Sequence, residues 1–181
     1  MTIRDARPAD RERLRELYTA FVQEIPPPPG VPLDLDHELG ELEEYLGHEH
    51  VALVAEDDGA VVAFALGRMR HPGQGRLSDI YVAPEARRRG IARELIREVT
   101  RRLRDEGAVV LTLDVQVGNA AARAAYEGLG FQNELLGLYA PVETLLAADE
   151  DEAASETFGS TSIRLATPGS PLMTRTCLEP Q

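Results

Sequence analysis

The sequence has no lysine and no tryptophan, and Cys177 is the one cysteine among its 181 residues. All 19 basic residues are therefore arginine, so no lysine of this chain can form a Schiff base or be acylated. A single cysteine allows no intramolecular disulfide bond, and the charged segment Met1–Asp10 lacks the apolar stretch of a secretory signal. No apolar run approaches the ~18 residues of a membrane span. We therefore expect a soluble, cytoplasmic protein.

Positive charge is also scarce, because 31 acidic residues give the chain a formal net charge of −12. Nucleic acids and anionic membrane surfaces are bound by basic faces, so neither is expected as a partner. An acidic chain is compatible with cationic small molecules or basic peptides.

Hydrophobic periodicity and turn residues predict the element order strand, helix, helix, strand, strand, strand, helix, strand, helix, strand. The predicted strands are Thr2–Ala6, Val51–Glu56, Ala60–Met69, Arg76–Val82, Val109–Val115 and Phe131–Tyr139. The predicted helices are Ala9–Gln23, Asp34–Leu46, Arg89–Glu106 and Asn119–Leu129. Hairpins followed by βαβ crossovers indicate an α/β (α+β) fold with one mixed sheet and helices on both faces.

Two of these predictions concern buried packing and domain boundaries. The strand Val109–Val115 is almost wholly apolar, which is typical of a strand buried on both faces. Residues 1–146 are expected to form one domain. Residues 147–181 are expected to form an acidic linker and a mobile tail rich in Ser, Thr and Pro.

The segment Leu77–Ala92 reads as a strand, a short arginine-rich loop and the start of a helix. A helix N-terminus offers free backbone N–H groups and about half a positive charge, which together can hold a phosphate or diphosphate. Gly90 has no Cβ and lets a ligand approach the backbone closely. The alternative is that the arginines only solvate the start of a surface helix. The spacing matches neither a Walker loop nor a dinucleotide fingerprint.

This segment resembles the signature of the GCN5-related N-acetyltransferases (GNAT family), Arg/Gln-x-x-Gly-x-Gly/Ala at a helix start. It appears here as Arg87-Arg88-Arg89-Gly90-Ile91-Ala92, preceded by Ile80-Tyr81-Val82-x-Pro84. The stretch Asn119–Phe131 is similar to the family's Asn-x-x-Ala-x-x-x-Tyr-x-x-x-Gly-Phe pattern. The element order agrees with the family from about residue 2 to residue 139.

The resemblance implies a GNAT-like fold, with a mostly antiparallel sheet, a splayed parallel pair and helices on both faces. It implies an N-acetyltransferase that moves an acetyl group from its cosubstrate acetyl-CoA to a primary amine of a small molecule or peptide, without a metal. A homodimer is compatible with it. Two rivals are a non-catalytic acyl-CoA-binding module on the same fold and a nucleotide-dependent transferase.

By resemblance, the strand backbone should pair with the pantetheine arm and the loop amides should hold the diphosphate. The cofactor-binding residues implied are Ile80, Tyr81, Val82, Arg87, Arg88, Arg89, Gly90, Ile91, Ala92, Arg93 and Asn119. Asn119 is equally explained as a plain helix N-cap.

Two residues are candidates for catalysis. The resemblance places Tyr126 near the sulfur of coenzyme A, and a phenol with a pKa near ~10 can protonate a leaving thiolate. Asp79 is the candidate general base, acting directly or through water. Family members often have Glu-Asp where this chain has Ser78-Asp79. The alternatives are a packing role for Tyr126 and a structural acceptor role for Asp79.

The acceptor side is acidic, since no basic residue lies between Arg15 and Arg68. By resemblance the first two helices border the acceptor site, so a cationic amine would be concentrated there. The alternative is that these acids form the solvated face of a helix. The run His48-Glu49-His50 lacks the i, i+4 spacing of a helical zinc site, so no metal is expected.

Overall fold

The structure is a computed structural model that describes residues 1–25, 27–28, 30–47, 50–133, 137 and 140–142. Residues Met1–Gly137 form one compact unit. Its strands are β1 (Thr2–Asp5), β2 (Val51–Asp57), β3 (Ala60–His71), β4 (Gln74–Val82) and β5 (Val110–Thr112). Its α-helices are α1 (Arg11–Glu24), α2 (Leu35–Gly47), α3 (Ile91–Asp105) and α4 (Ala120–Glu127).

The five strands form one sheet in the order β1-β2-β3-β4-β5. The pairs β1/β2, β2/β3 and β3/β4 are antiparallel, whereas β4 and β5 are parallel. The predicted mixed sheet is confirmed. Asp58 and Gly59 form the β2–β3 turn with positive φ angles of 49° and 81°, as the Asp-Gly hairpin signal indicates.

Helices cover both faces of the sheet and bury two apolar clusters. On one face α1 and α2 pack through Leu14, Leu17 and Leu42 against the side chains of β3, with Phe64 at the centre. On the other face α3 buries one stripe of its surface: Ile91, Leu95, Ile96, Val99 and Leu103. This i, i+4, i+5, i+8, i+12 spacing is that of an amphipathic helix, and it fixes where α3 begins relative to the end of β4.

The parallel pair is short and then opens. Pairing of β4 with β5 is confined to Gln74–Arg76 against Val110–Thr112, while β4 continues to Val82 paired only with β3. The carboxyl-terminal half of β4 therefore has a free edge within the described part of the chain. This opening is the splay that the family resemblance implies.

The prediction of a strand over Val109–Val115 buried on both faces is wrong. Only Val110–Thr112 is a strand, and the side chains of Val109 and Val110 are 84% and 55% exposed. An apolar stretch of sequence does not indicate where a strand stops pairing. Here β5 pairs with β4 over only three residues. Phe131, Gln132 and Asn133 are not in a strand, and the rest of the predicted strand Phe131–Tyr139 lies largely outside the described residues. So does the predicted domain boundary after residue 146.

Close packing of α3 on the sheet requires a glycine at position 67. A Cβ on Gly67 would lie 2.7 Å from Val99 Cγ1 and 3.3 Å from the Arg76 carbonyl oxygen. We expect Gly67→Ala to lower the free energy of unfolding by about 1–3 kcal/mol, as overpacked core sites do. Gly40→Ala is the matched control, because nothing lies within 4 Å of its added methyl on the exposed side of α2. Urea unfolding of both variants checks this, and equal stabilities would contradict it.

Candidate active site

The turn that leads from β4 into α3 presents backbone amides at a helix N-terminus. The first hydrogen bond of α3 is donated by the Glu94 N–H to the Gly90 carbonyl at 3.2 Å, so the N–H groups of residues 91–93 precede the helical ladder. Gly90 is the N-cap with φ +81°, and no atom lies within 4 Å of the place where its Cβ would stand. We call this turn, residues 88–93, the amide cradle. Its N–H groups and the helix dipole favour an anion there.

Arg87 connects the start of this turn to helix α1. Its Nε donates to the Val82 carbonyl at 2.8 Å, and its Nη2 lies 2.8 Å from both carboxylate oxygens of Glu24. The guanidinium also covers the ring of Tyr81 at 5.4 Å, and the Tyr81 hydroxyl donates to Glu24 at 2.9 Å. The Tyr81 side chain is therefore committed to the α1 side of the sheet. Its backbone stands opposite Phe64 in a hydrogen-bonded position of the ladder, so its N–H and C=O groups face β3.

The other arginines of the turn are arranged differently. Arg89 pairs with Asp57 of the β2–β3 hairpin at 2.8 Å, and this pair holds the pKa of the Asp57 carboxyl below its ordinary value. Arg88 has a positive φ of 61°, and both Arg88 and Arg93 are exposed. Ile91 is buried in the core beneath the cradle, so it contributes its N–H and anchors the helix, while Ala92 is exposed.

The free edge of β4 carries backbone polar groups that point away from β3. Ala83 N–H donates to the Val62 carbonyl, so Val82 opposite Ala63 occupies a non-hydrogen-bonded position of the antiparallel ladder. The N–H and C=O groups of Val82 and, by alternation, of Ile80 therefore face the edge of β4 where β5 no longer pairs. Of these groups the Val82 carbonyl already accepts from Arg87 Nε. An extended ligand with amide groups could hydrogen-bond along this edge.

The opening beside this edge is a cleft of about 390 Å³, here called the slot. It lies between β4 and the segment that follows β5, and residues of α1 and α4 complete its walls. Its lining residues are Phe21, Ile25, Leu77, Ser78, Asp79, Ile80, Leu113, Asp114, Val115, Gln116, Asn119, Ala122 and Tyr126. Four residues predicted from the sequence thus meet in one cleft, namely Asp79, Ile80, Asn119 and Tyr126.

A β-bulge turns Asp79 toward the α1–α2 face of the sheet. Leu66 stands opposite Asp79 while Gly67 stands opposite Leu77, so Ser78 is the extra residue. Leu77 and Ile80 pack toward α3, and the bulge leaves both intervening side chains on the α1–α2 face. The Ser78 hydroxyl hydrogen-bonds the hydroxyl of Tyr45 in α2.

The electrostatics of Asp79 suit a base. Burial raises the pKa of its carboxyl to about 6, and the negative charge of Glu41 adds to the increase, while Arg76 opposes it. A carboxylate whose pKa approaches neutrality is ionised at pH 7 and still accepts a proton readily. Perturbed carboxylates in clefts are typical of functional sites.

Helix α4 and its N-cap place Tyr126 and Asn119 in the wall of the slot. The ring of Tyr126 packs edge-on against Phe131 at 5.8 Å between centroids, and burial raises the pKa of its hydroxyl above the ordinary value. Tyr126 therefore stays protonated across neutral pH. The Asn119 side chain accepts a hydrogen bond from the Ala122 N–H at 3.1 Å, so it caps α4 and lines the slot at the same time.

A second, smaller pocket of about 190 Å³ adjoins the slot on the α2 side, here called the α2 pocket. It is lined by Glu41, Glu44, Tyr45, Arg68, Arg76, Ser78 and Asp79. Ser78 and Asp79 belong to both cavities, so they mark the junction between the slot and the α2 pocket. Among the residues that the structure describes, no group of three or more His, Cys, Asp or Glu side chains could hold a metal ion. His48 and Glu49 lie outside them.

Several residues of this region were not predicted as site residues. The acidic stretch of α2 signalled Glu41 and Glu44 only as general negative charge. Glu24 pairs with Arg87 across 63 positions of the chain, and no local pattern announces such a contact. The sequence gives no sign that Arg68 lines a pocket. It marks only the end of a long stretch without basic residues.

A sheet that opens beside a helix-terminal amide cradle, with a carboxylate and a tyrosine facing the opening, defines the architectural class of the N-acetyltransferases. The profile of the acetyltransferase (GNAT) family matches residues 12–131. The chain belongs to this family.

Two curated relatives illustrate the match. The ribosomal protein bS18 alanine N-acetyltransferase of Salmonella typhimurium is 36% identical over 85 residues, which are 47% of this chain and 57% of that protein. The chain thus spans little more than half the length of that relative. The aminoglycoside N(6')-acetyltransferase type 1 of Stenotrophomonas maltophilia is 32% identical over 141 residues, 72% of this chain and 86% of that one.

Solved structures agree. An aminoglycoside N-acetyltransferase in complex with CoA superposes with a TM-score of 0.64 at 28% identity. The match covers 78% of this chain and 94% of that one. In the described part of this chain, no helix is both long and apolar enough to cross a membrane.

Proposed function

We propose that this protein transfers the acetyl group of acetyl-CoA to a primary amine. The observation that carries the proposal is the free edge of β4, which follows Val82 and Ile80 toward the slot that Ile80, Asp79 and Tyr126 line, with the amide cradle following the end of the same strand. Support comes from the names of the relatives, which are N-acetyltransferases, and from the CoA complex of one of them.

The residues present fit coenzyme A. The amides of the cradle are suited to its diphosphate, and the space above Gly90 lets the phosphates reach the backbone. The outward N–H and C=O groups of Ile80 and the outward N–H of Val82 match the amides of a pantetheine arm, while the Val82 carbonyl already accepts from Arg87. When bound, acetyl-CoA supplies an activated thioester carbonyl.

The chain's own groups then move two protons. Asp79 removes a proton from the acceptor ammonium, directly or through a water molecule, so that the nitrogen can attack. As the carbon–nitrogen bond forms and the carbon–sulfur bond breaks, Tyr126 donates its hydroxyl proton to the leaving sulfur. The second proton that the nitrogen releases as it becomes an amide returns through solvent to the Tyr126 oxygen. Positioning both reactants at the junction of the two cavities supplies much of the remaining acceleration.

The α2 pocket supports a positively charged acceptor. Glu41, Glu44 and Asp79 line it together, and a carboxylate-rich cleft concentrates cations. This agrees with the acidic acceptor side expected from the sequence.

A panel of amines incubated with acetyl-CoA, with release of free thiol as the readout, tests the proposal. We expect thiol release with cationic primary amines. Binding of CoA without turnover of any amine would instead favour a non-catalytic binding module. Calorimetric heat with ATP but not with CoA would favour a nucleotide-dependent enzyme.

The pH dependence of kcat/KM should follow the ionisation of the Asp79 carboxyl. The carboxyl must be ionised to accept a proton, so we expect kcat/KM to fall about tenfold per pH unit below the Asp79 pKa of about 6. Because the charge of Glu41 raises this pKa, Glu41→Gln should move the acid limb to lower pH. Glu44→Gln, on the same helix and in the same pocket, should move it less. An acid limb that persists in Asp79→Asn would contradict the assignment.

A further inference from the structure

The α2 pocket is not uniformly acidic, because two guanidinium groups share it with three carboxylates. One of the two is already paired, since Arg76 Nη2 lies 2.6 Å from Asp114 Oδ2. The other, Arg68, has no ion pair with any residue that the structure describes. The charge of Arg68 acts on Asp79 across the pocket, but no described carboxylate forms an ion pair with it, so its N–H donors can bind the carboxylate of a ligand.

Arg68 is exposed and contacts an aromatic ring at the pocket. Its guanidinium carbon lies 5.7 Å from the centroid of the Tyr45 ring, within the range of a cation–π contact. Tyr45 is in turn fixed by its hydrogen bond to Ser78. The planar guanidinium presents paired N–H donors whose geometry matches a carboxylate.

We propose that the α2 pocket selects a small amine acceptor that carries a carboxylate, with Arg68 binding that carboxylate while Asp79 faces the reacting amine. The inference rests on the N-acetyltransferase function proposed above and narrows its substrate class to free amino acids. The pocket's volume of about 190 Å³ is suited to such a molecule. Glu41 and Glu44 favour an amino acid with a second cationic group, so basic amino acids are the preferred acceptors.

The charges of the pocket separate this class from simple polycations. A diamine can satisfy Glu41, Glu44 and Asp79, but it leaves Arg68 facing another cation, which is unfavourable in a shared cleft. An amino acid with a basic side chain places opposite charges against both sets of groups. Specificity would then come from repulsion of the wrong amine as well as from attraction of the right one.

Matched substrate pairs test the inference. Lysine and cadaverine, ornithine and putrescine, and arginine and agmatine differ only by a carboxylate. With acetyl-CoA and thiol release as the readout, we expect kcat/KM to be about tenfold or more higher for the carboxylated member, as for a charged hydrogen-bonded pair. Arg68→Gln should abolish this ratio. Arg70→Gln, an exposed arginine on the same strand that does not line the pocket, should preserve it.

The ratio is measured within each variant, so a loss of folded protein cancels. Equal or better turnover of the decarboxylated amines by the unmodified protein, or a ratio unchanged in Arg68→Gln, overturns this inference and leaves the acetyltransferase function standing. Absence of thiol release with all six compounds overturns this inference alone, whereas absence with every amine of the broader panel as well overturns both.

Discussion

Replacement of Gly90 by valine is expected to weaken the binding of acetyl-CoA by about 100-fold or more. Gly90 has φ +81°, a conformation in which a β-branched residue is strained. The new side chain would also enter the open space through which an anion reaches the amides. Charge-assisted hydrogen bonds contribute about 1.5–3 kcal/mol each, so loss of even two accounts for the expected change. Isothermal calorimetry with the whole chain measures it.

Gly107→Val is the matched control for this experiment. Gly107 follows the other end of α3, has φ +101°, and likewise has no atom within 4 Å of an added Cβ. The strain is therefore comparable, but the site is remote from the cradle. We expect Gly107→Val to lose stability while it keeps its affinity for acetyl-CoA. An equal loss of affinity in both variants would assign the effect to strain and contradict a specific role for Gly90.

Tyr126→Phe is expected to lower kcat by about 100-fold, within the range found when a general acid is removed. The phenylalanine keeps the edge-on contact with Phe131 and the packing of α4, so the loss is confined to the proton donor. The KM for acetyl-CoA should stay within about threefold, because the hydroxyl acts on the leaving sulfur and not on the bound diphosphate. Steady-state kinetics at saturating acceptor separates the two parameters.

Tyr18→Phe provides the comparison, since Tyr18 is a buried tyrosine of the α1 face that lies outside the slot. Burial raises the pKa of its hydroxyl, as it does for Tyr126. We expect Tyr18→Phe to keep kcat. A purely structural role for Tyr126 would instead appear as a loss of stability and of kcat that is similar in the two variants.

Local sequence signals were enough to predict the strands and helices that support the site. The Asp-Gly turn predicts the β2–β3 hairpin, and the apolar stripe of α3 predicts a helix over Arg89–Glu106, close to the observed Ile91–Asp105. The open space at Gly90 and the cap made by Asn119 follow from the same kind of short-range chemistry. These features depend on residues within a few positions of one another, so the chain alone reveals them.

Features that depend on distant residues could not be predicted. The bulge at Ser78 exists because the pairing of β3 and β4 shifts register. That shift decides on which face of the sheet the Asp79 side chain lies. The same limit explains the error at Val109–Val115, since the end of strand pairing is set by the neighbouring strand and not by apolar content.

The arginines of the turn also make contacts with distant residues that the local sequence does not predict. Arg87 and Arg89 were grouped in the sequence as local positive charge for a phosphate. In the fold, Arg87 bonds Glu24 and Arg89 bonds Asp57. Their role as phosphate ligands therefore stays a prediction, and the backbone amides carry the larger part of the proposed diphosphate site.

The central claim is that the amides opening α3 hold the diphosphate of a thioester carrier. Calorimetric titration of the whole chain with CoA and, separately, with pantetheine tests it directly, because pantetheine has the thiol arm but no diphosphate. The account predicts that CoA binds about 100-fold or more tightly than pantetheine, as expected for several charge-assisted hydrogen bonds. Equal affinities, or no heat with CoA, would contradict it.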